Sequence, residues 1–574
     1  MSDVNIVIGG EAGQGLATIG GLMVKALVRT GYEVHVTQDY MSRIRGGHNT
    51  FQIRFGPYPV LSPRETVDVL VALAPETIDL FKDKLSKRGV VVLDEAVAEK
   101  NHLSKSLPRL FKVPFKELAP KPLFFNTAAL GVLASVVCSD MSVLEELLAQ
   151  TFGKKGEDVV RQNLDVLHAA AEWKEKHESL FECPAPPEKT GTHLVLNGNE
   201  AIALGALAAG CNFLSFYPMT PGTSVALTLI KHSREAGLVA EQAEDEIAAI
   251  NMAVAASYAG ARSIVTTSGG GFALMCEGIS LAGMIETPVV VAIAQRPGPA
   301  TGLPTRTEQG DLNMVLHAGH GEFPRMVYAP GNVEQCFHLT HRAFDQAEKH
   351  QSPAFVLTDQ YLADSFRGVV PFDPDKLPPV TRPKMIPDDP SSYARYGQPE
   401  NGVSPRAIPG LSEALVLADS DEHTDQGHIT EDHDVRIRQQ DKRMCKMCGV
   451  FSDTIAPDYY GDEDADRVLV CWGSTMGACL EAMGILRGKG QKVGVLHFSQ
   501  VYPIDPAQFM DRLTSAGKVY FVEGNSTGQF AGLVRKETGF PPRELILRYD
   551  GLPFTARYIL NDITRLEEHQ TLNK

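Results

Sequence analysis

Apolar and polar positions switch between strand and helix periods in three separate stretches of the chain. In the first, residues 1–185, a short apolar run at 5–8 leads straight into a glycine turn. Residues 16–30 then carry apolar side chains at helical spacing until Gly31 stops the pattern. Residues 33–38 and 50–55 alternate as half-buried strands, and 67–73, apolar except for Asp68, and 90–93, apolar throughout, read as buried strands. The second stretch, residues 190–370, follows three prolines within 181–189, a linker composition. It pairs a helical pattern at 201–209 with a strand at 213–217. An alanine-rich helix at 246–258 follows, then buried strands at 263–267 and 289–294. The third, residues 467–574, carries strand patterns at 468–472, 492–498 and 518–523. Strands separated by helices predict mostly parallel sheets covered on both faces, so the expected fold class is α/β, with three such domains.

Composition fills the gap between the second and third stretches. Residues 371–410 hold 10 of the chain's 36 prolines, which predicts an extended connector. Residues 411–466 carry 15 acids against 5 bases, more than half of the net charge of −16, and read as an exposed acidic excursion rather than core. The acidic balance argues against a nucleic-acid partner. No basic region precedes a long apolar stretch at the start, and the strongest apolar run, 288–294, is too short to span a bilayer, so no membrane partner is expected. Nine cysteines in 574 residues are too few for a disulfide scaffold, which points to a reducing cytoplasm.

The residues that could carry chemistry sit mostly at strand-to-helix junctions. Gly9-Gly-Glu-Ala-Gly-Gln-Gly15 follows a strand and opens a helix, where backbone N–H groups suit an anion. Its Gly10-x-x-Gly13-x-Gly15 spacing is not the dinucleotide fingerprint, and the same glycines also serve a tight turn with no ligand. Arg43 and Arg45, beside Gly46-Gly47, could hold a phosphate bidentately or simply pair with acids. In Tyr217-Pro-Met-Thr-Pro-Gly-Thr-Ser224, two prolines fix a turn that presents hydroxyls at a helix start, either to grip a carboxylate or as a plain N-cap. Glu246 heads the alanine-rich helix, where an acid either complements the dipole or, if buried, shares a proton with a ligand nitrogen. Ser268-Gly269-Gly270-Gly271 lets a ligand approach the backbone closely. Arg296 stands at a strand's carboxyl end, where open α/β sheets bind ligands, and opens a Pro/Gly loop that runs to Thr305 and Arg306. Its bland alternative is a brace against an acid such as Glu308. Cys445 and Cys448 form an isolated pair read as loop cysteines, and His423, His428 and His433 read as solvated, so no metal site is expected.

Several of these segments together resemble the 2-oxoacid:ferredoxin oxidoreductases, specifically an alpha subunit with a gamma-like domain fused at its N-terminus. The most specific are Tyr217-Pro-Met-Thr-Pro221, Gln242-Ala-Glu-Asp-Glu-Ile-Ala-Ala249, Ala259-Gly-Ala-Arg262 with Thr267-Ser-Gly269, and Gly298-Pro-Ala-Thr-Gly302. The resemblance covers nearly the whole chain, and the domain order is most similar to large subunits acting on 2-oxoglutarate. Met219 and Gly222 depart from the usual Tyr-Pro-Ile-Thr-Pro-Ser, and Gly270 replaces a proline. The resemblance implies a gamma-like domain over 1–185, a thiamine-diphosphate pyrimidine-binding domain over 190–370 and a transketolase C-terminal-like domain over 467–574. It implies that Glu246 contacts the aminopyrimidine N1′, with Tyr217, Gly269 and Gly270 around the cofactor. Arg296 and Thr220 would meet the substrate carboxylate, with Thr305 near its far end and Arg306 as a second choice. Gly13, Gly15, Arg43 and Arg45 would lie where coenzyme A enters. No Gly-Asp-Gly…Asn set for Mg²⁺ and diphosphate occurs, and no four-cysteine set for an iron–sulfur cluster. Both are therefore expected on a beta subunit carrying a [4Fe–4S] cluster, with ferredoxin as electron acceptor and a dimer of alpha–beta heterodimers as the assembly. The implied reaction is conversion of 2-oxoglutarate and coenzyme A to succinyl-CoA, with pyruvate or another 2-oxoacid as alternative substrates and a noncatalytic scaffold subunit as the rival from another class.

Overall fold

A computed structural model describes residues 3–41, 47–100, 109–177, 185, 191–381, 393–411 and 413–572. The chain divides into two compact units, Met1–Leu196 with Ser365–Phe372, and Asn197–Asp364 with Asp373–Lys574. The first unit holds an eight-stranded sheet. Its strands run in the order Leu110–Val113, Leu85–Asp94, Val67–Ala72, Val4–Glu11, His48–Gly56, Glu33–Asp39, Phe366–Val369 and Leu194–Leu196. The first four are parallel, as the strand–helix alternation predicts. His48–Gly56 instead runs antiparallel to both Val4–Glu11 and Glu33–Asp39. Residues 40–47 are too few for a crossover helix, so the two strands they join must pair as neighbours in opposite directions. The two short outer strands come from beyond residue 185 and also pair antiparallel. Helices Leu16–Arg29, Phe125–Val136 and Met141–Phe152 share one apolar core with the inner strands.

The second unit holds two further sheets. The seven-stranded one is ordered Gln500–Tyr502, Met326–Tyr328, Pro353–Asp359, Val289–Gln295, Ser263–Thr267, Phe213–Phe216 and Val239–Gln242, and only its first strand is antiparallel. Ser263–Thr267, Val289–Gln295 and Pro353–Asp359 are buried throughout, which is why none alternates apolar with polar and why Val289 to Ala294 is a continuous apolar run. The five-stranded sheet is ordered Asp458–Gly461, Val493–Phe498, Arg467–Trp472, Lys518–Glu523 and Glu544–Leu547, again with only the first strand antiparallel. Val291, Ile293 and Leu312 from the first block share a core with Trp472, Phe498 and Phe530 from the second.

The acidic stretch corrects the expectation of an exposed excursion. Helix His433–Ser452 runs through it, and Lys442, Arg443 and Lys446 on one of its faces are buried. Lys442 Nζ donates to Glu286 Oε1 at 2.6 Å, Lys446 pairs with the other oxygen of Glu286, and Arg395 donates to the Glu286 carbonyl at 2.7 Å. Averaging charge over the stretch conceals this basic face, whose counter-ion lies 156 residues away. Cys445 and Cys448 are free thiols on the same helix, not in a loop. His423 is buried against the Tyr396 ring, whereas His428 and His433 are exposed. Cys138 is disulfide-bonded, which the low cysteine content does not predict. Among the described residues no helix is long and apolar enough to cross a membrane, and no group of three or more His, Cys, Asp or Glu is placed to hold a metal.

Candidate active site

The carboxyl ends of the parallel strands in the seven-stranded sheet converge on one set of loops. Phe213–Phe216 feeds the Tyr217–Gly222 turn, and Tyr217 is exposed at its start. Gly222 lies so close to the Thr267 carbonyl that a Cβ there would collide with it. Met219 reaches across to the next loop, where its sulfur accepts from Gly271 N at 3.3 Å. The turn and the glycine run after Ser263–Thr267 therefore pack as one surface.

Glu246 is the first residue of helix Glu246–Tyr258 and is only 3% exposed. Asp245 caps the helix, its Oδ1 accepting from Ala248 N at 2.7 Å, which leaves the Glu246 side chain out of the capping role. Ala249 and Ala253 are fully buried behind it. A Cβ on Gly271 would stand 2.6 Å from Glu246 Oε1, so that glycine makes room for the carboxylate. Oε1 is buried and accepts no hydrogen bond, and the neighbouring Ser268 hydroxyl is equally unpartnered. Gly269 is buried and Gly270 exposed, where an added Cβ would make only ordinary contacts with the Ala300 carbonyl at 3.8 Å and the Met219 sulfur at 4.0 Å. Sequence reading thus names a carboxylate and a glycine turn that do come together.

Arg296, half-buried after strand Val289–Gln295, donates Nη1 to the Thr220 carbonyl at 2.8 Å. Burial lowers the affinity of its guanidinium for a proton, and the opposing influence is Asp311, not the Glu308 considered from sequence. Burial raises the Asp311 carboxyl to about 6 against the pull of Arg296. Its Oδ2 is buried with no partner, and the carboxylate lies against Gly269, where a Cβ would run into it. Thr305 is buried further along this loop, and Arg306 is half-buried with its stem near Gly551.

The loop is held by the five-stranded sheet. Gln309 Nε2 donates to the Trp472 carbonyl at 2.9 Å and its Oε1 accepts from Gly524 N at 2.8 Å. Asn525 Nδ2 donates to the Gln309 carbonyl at 3.2 Å. Thr307 Oγ1 donates to Asp359 Oδ1 at 3.2 Å, and Ser474 hydrogen-bonds the other Asp359 oxygen. Burial raises the Asp359 and Glu523 carboxyls, which these donors and the N–H groups of Phe530 and Ala531 offset. Asp311 and Gln309 are missed by the sequence reading. Their only signal there is a run of seven polar or glycine residues, 305–311, between Pro304 and Leu312.

In the other unit, Gly13 and Gly15 have φ of +93° and +72°, conformations that glycine adopts without strain. Gln14 Oε1 accepts from Glu11 N at 2.8 Å and ties the turn. Arg43 and Arg45 lie outside the described residues.

Residues 204–442 match the family model described as pyruvate flavodoxin/ferredoxin oxidoreductase, thiamine diP-bdg, and residues 5–173 match pyruvate ferredoxin/flavodoxin oxidoreductase. The chain is 31% identical to 2-oxoacid:ferredoxin oxidoreductase 2, subunit alpha, of Aeropyrum pernix, over 99% of this chain and 98% of that one. It is 29% identical to the 2-oxoglutarate oxidoreductase subunit KorA of Mycobacterium tuberculosis, over 93% and 87%. Its structure is similar to that of a 2-oxoglutarate:ferredoxin oxidoreductase from Magnetococcus marinus with 2-oxoglutarate, coenzyme A and succinyl-CoA bound. The TM-score is 0.92 at 32% identity, covering 98% of this chain and 99% of that one.

Proposed function

The chain belongs to the alpha subunits of the 2-oxoacid:ferredoxin oxidoreductases, and from that premise we propose that it supplies half of an active site converting 2-oxoglutarate and coenzyme A to succinyl-CoA and carbon dioxide with reduction of ferredoxin. The observation that carries this reading is the buried, unpartnered Glu246 Oε1 beside the Gly269–Gly271 turn. An orphaned buried acceptor costs about 1–3 kcal/mol, and a ring-nitrogen proton donor removes that cost. The residues therefore fit thiamine diphosphate: Glu246 Oε1 holds the proton shared with the aminopyrimidine, while Tyr217, Gly269 and Gly270 border the ring. When bound, that cofactor supplies the electron sink for decarboxylation. Arg296 takes the carboxylate beside the reacting carbonyl, with Thr220 next to it, and orients the substrate through a charge-assisted contact. Thr305, with Arg306 beside it, faces the distal end, where 2-oxoglutarate and pyruvate differ. Gly13 and Gly15, with Arg43 and Arg45, serve coenzyme A.

Mg²⁺, the diphosphate and a [4Fe–4S] cluster are assigned to a beta subunit, because this sequence carries no motif for them. The name of the Aeropyrum relative, a 2-oxoacid enzyme, favours a broader substrate range as the second reading. Equal kcat/KM for pyruvate and 2-oxoglutarate would establish it. The test of the main reading uses the chain with and without its co-purified partner. The lone chain should not decarboxylate 2-oxoglutarate with added thiamine diphosphate and Mg²⁺. In the assembled enzyme, Glu246→Gln should slow solvent exchange of the cofactor C2 proton at least ~10²-fold, the low end for an acid–base role. Unchanged exchange removes Glu246 from the chemistry.

A further inference from the structure

Asp311 is held in place from several sides, more firmly than a surface-loop acid would be. Its N–H donates to Gln295 Oε1 at 3.0 Å, so the residue preceding Arg296 fixes its backbone. Gln529 Nε2 donates to the Gly310 carbonyl at 2.7 Å, and Asn313 N donates to Gln529 Oε1 at 2.9 Å. Gln309, two residues earlier, is hydrogen-bonded to Trp472, Gly524 and Asn525. These bonds deliver the carboxylate against Gly269, with Oδ2 buried and accepting nothing. The glycine turn thus lies between two carboxylates with orphaned oxygens, Glu246 at Gly271 and Asp311 at Gly269.

We propose that Asp311 is the counter-charge of Arg296 in the substrate-free site, and that it takes up one proton from solvent when a 2-oxoacid carboxylate engages Arg296. The proposal rests on the reading of Arg296 as the substrate's carboxylate clamp. The charged groups that face Asp311 are Arg296 from the strand end and Glu308 from its own loop. Gln295, Gly269 and Gln529, from the other elements around it, are neutral. A bound substrate carboxylate adds an anion to this set and satisfies the one cation. The bound carboxylate and Asp311 would then share a single guanidinium in a half-buried site, with Glu308 beside Asp311, a crowding that like charges relieve by protonating one member. Asp311 is the member poised to do so. Burial already holds its carboxyl at about 6, and the influence keeping it from rising further is Arg296.

The sign follows from linkage. The free enzyme releases the Asp311 proton above about pH 6, whereas the complex keeps it to higher pH. Substrate affinity is therefore greatest on the acid side and falls as pH rises through that window, approaching about tenfold per pH unit for one proton.

The test uses the assembled enzyme and the unreactive 2-hydroxyglutarate as a competitive inhibitor, which keeps the carboxylate but cannot decarboxylate. For the wild type, the inhibition constant should rise severalfold from about pH 6.5 to 7.5, approaching the tenfold-per-unit limit. Calorimetry in buffers of different ionisation enthalpy should give uptake of up to one proton per site. Asp311→Asn should flatten the pH dependence and abolish proton uptake. If Asp311→Asn does not fold, the wild-type proton count decides by itself. A merely structural Asp311 would lower the melting temperature and leave the pH slope intact. Arg296→Ala separates the two readings. If it leaves the inhibition constant unchanged, the clamp reading fails. If it weakens binding about tenfold or more while the wild type shows no proton uptake, the clamp stands and proton coupling is refuted.

Discussion

Arg296→Ala should lower kcat/KM for 2-oxoglutarate and pyruvate to a similar degree, because the carboxylate next to the carbonyl is common to both. The proposed clamp gives the side chain two jobs whose sizes differ. Toward the fold, it gives one hydrogen bond to the Thr220 carbonyl at 2.8 Å from a half-buried position, worth about 0.5–1.5 kcal/mol. Toward the substrate, a charge-assisted contact is worth about 1.5–3 kcal/mol, or roughly 10- to 150-fold in kcat/KM. The kinetic loss should therefore exceed what instability explains. The melting temperature of so long a chain should fall by no more than about 4 °C. Arg296→Lys restores the charge but not the fork, and one ammonium cannot hold both the Thr220 carbonyl and a bidentate carboxylate, so recovery should be partial. The assay is kcat/KM for both substrates and melting temperature on the same purified complex. Normal kcat/KM in the folded fraction with a lowered melting temperature would show that Arg296 only braces the Thr220 turn, and the clamp would be discarded.

Two further outcomes concern the scaffold. Gly222→Ser introduces a Cβ onto the Thr267 carbonyl, a backbone atom that cannot swing aside, and should destabilise by about 1–3 kcal/mol; thermal unfolding equal to wild type would show that the two strand-end loops move apart freely. Lys446 is buried on Glu286 and burial pulls its ammonium down to about 7, well below its value in the unfolded chain. The unfolded state therefore binds more protons between about pH 7 and 10, and stability should rise with pH across that window. Lys446→Met should flatten the rise, as read from melting temperatures at pH 7, 8 and 9, and an unchanged slope would exclude Lys446 as its source.

Much of the fold is legible in the sequence because burial imposes its own period. The helix predicted at 246–258 and the strand predicted at 263–267 have the observed bounds, since one is alanine-rich with a capping Asp245 and the other is apolar at both faces. What stays hidden is pairing between distant positions. The strand His48–Gly56 reads correctly as a strand, but its direction depends on which neighbours it finds. The buried face of His433–Ser452 is invisible in a local charge count, because Lys442 and Lys446 become core residues only through Glu286.

The candidate site divides the same way. Glu246, Thr220, Arg296 and the glycines are legible because each stands at a strand-to-helix junction with a recognisable local motif. Asp311 is not, since its loop has no period and its importance comes from Gln295, Gly269 and the clamp on Gln309. Gly222 shows how a departure from the family pattern can mislead. From sequence, glycine in place of serine is a mild change at the end of a turn. In the fold it permits the backbone to lie on Thr267, which brings Met219 within 3.3 Å of Gly271 N and fixes the turn against the loop beside Glu246. The two departures, Met219 and Gly222, therefore act together: the glycine lets the turn approach Thr267, and the flexible thioether of Met219 reaches from the turn to Gly271 N.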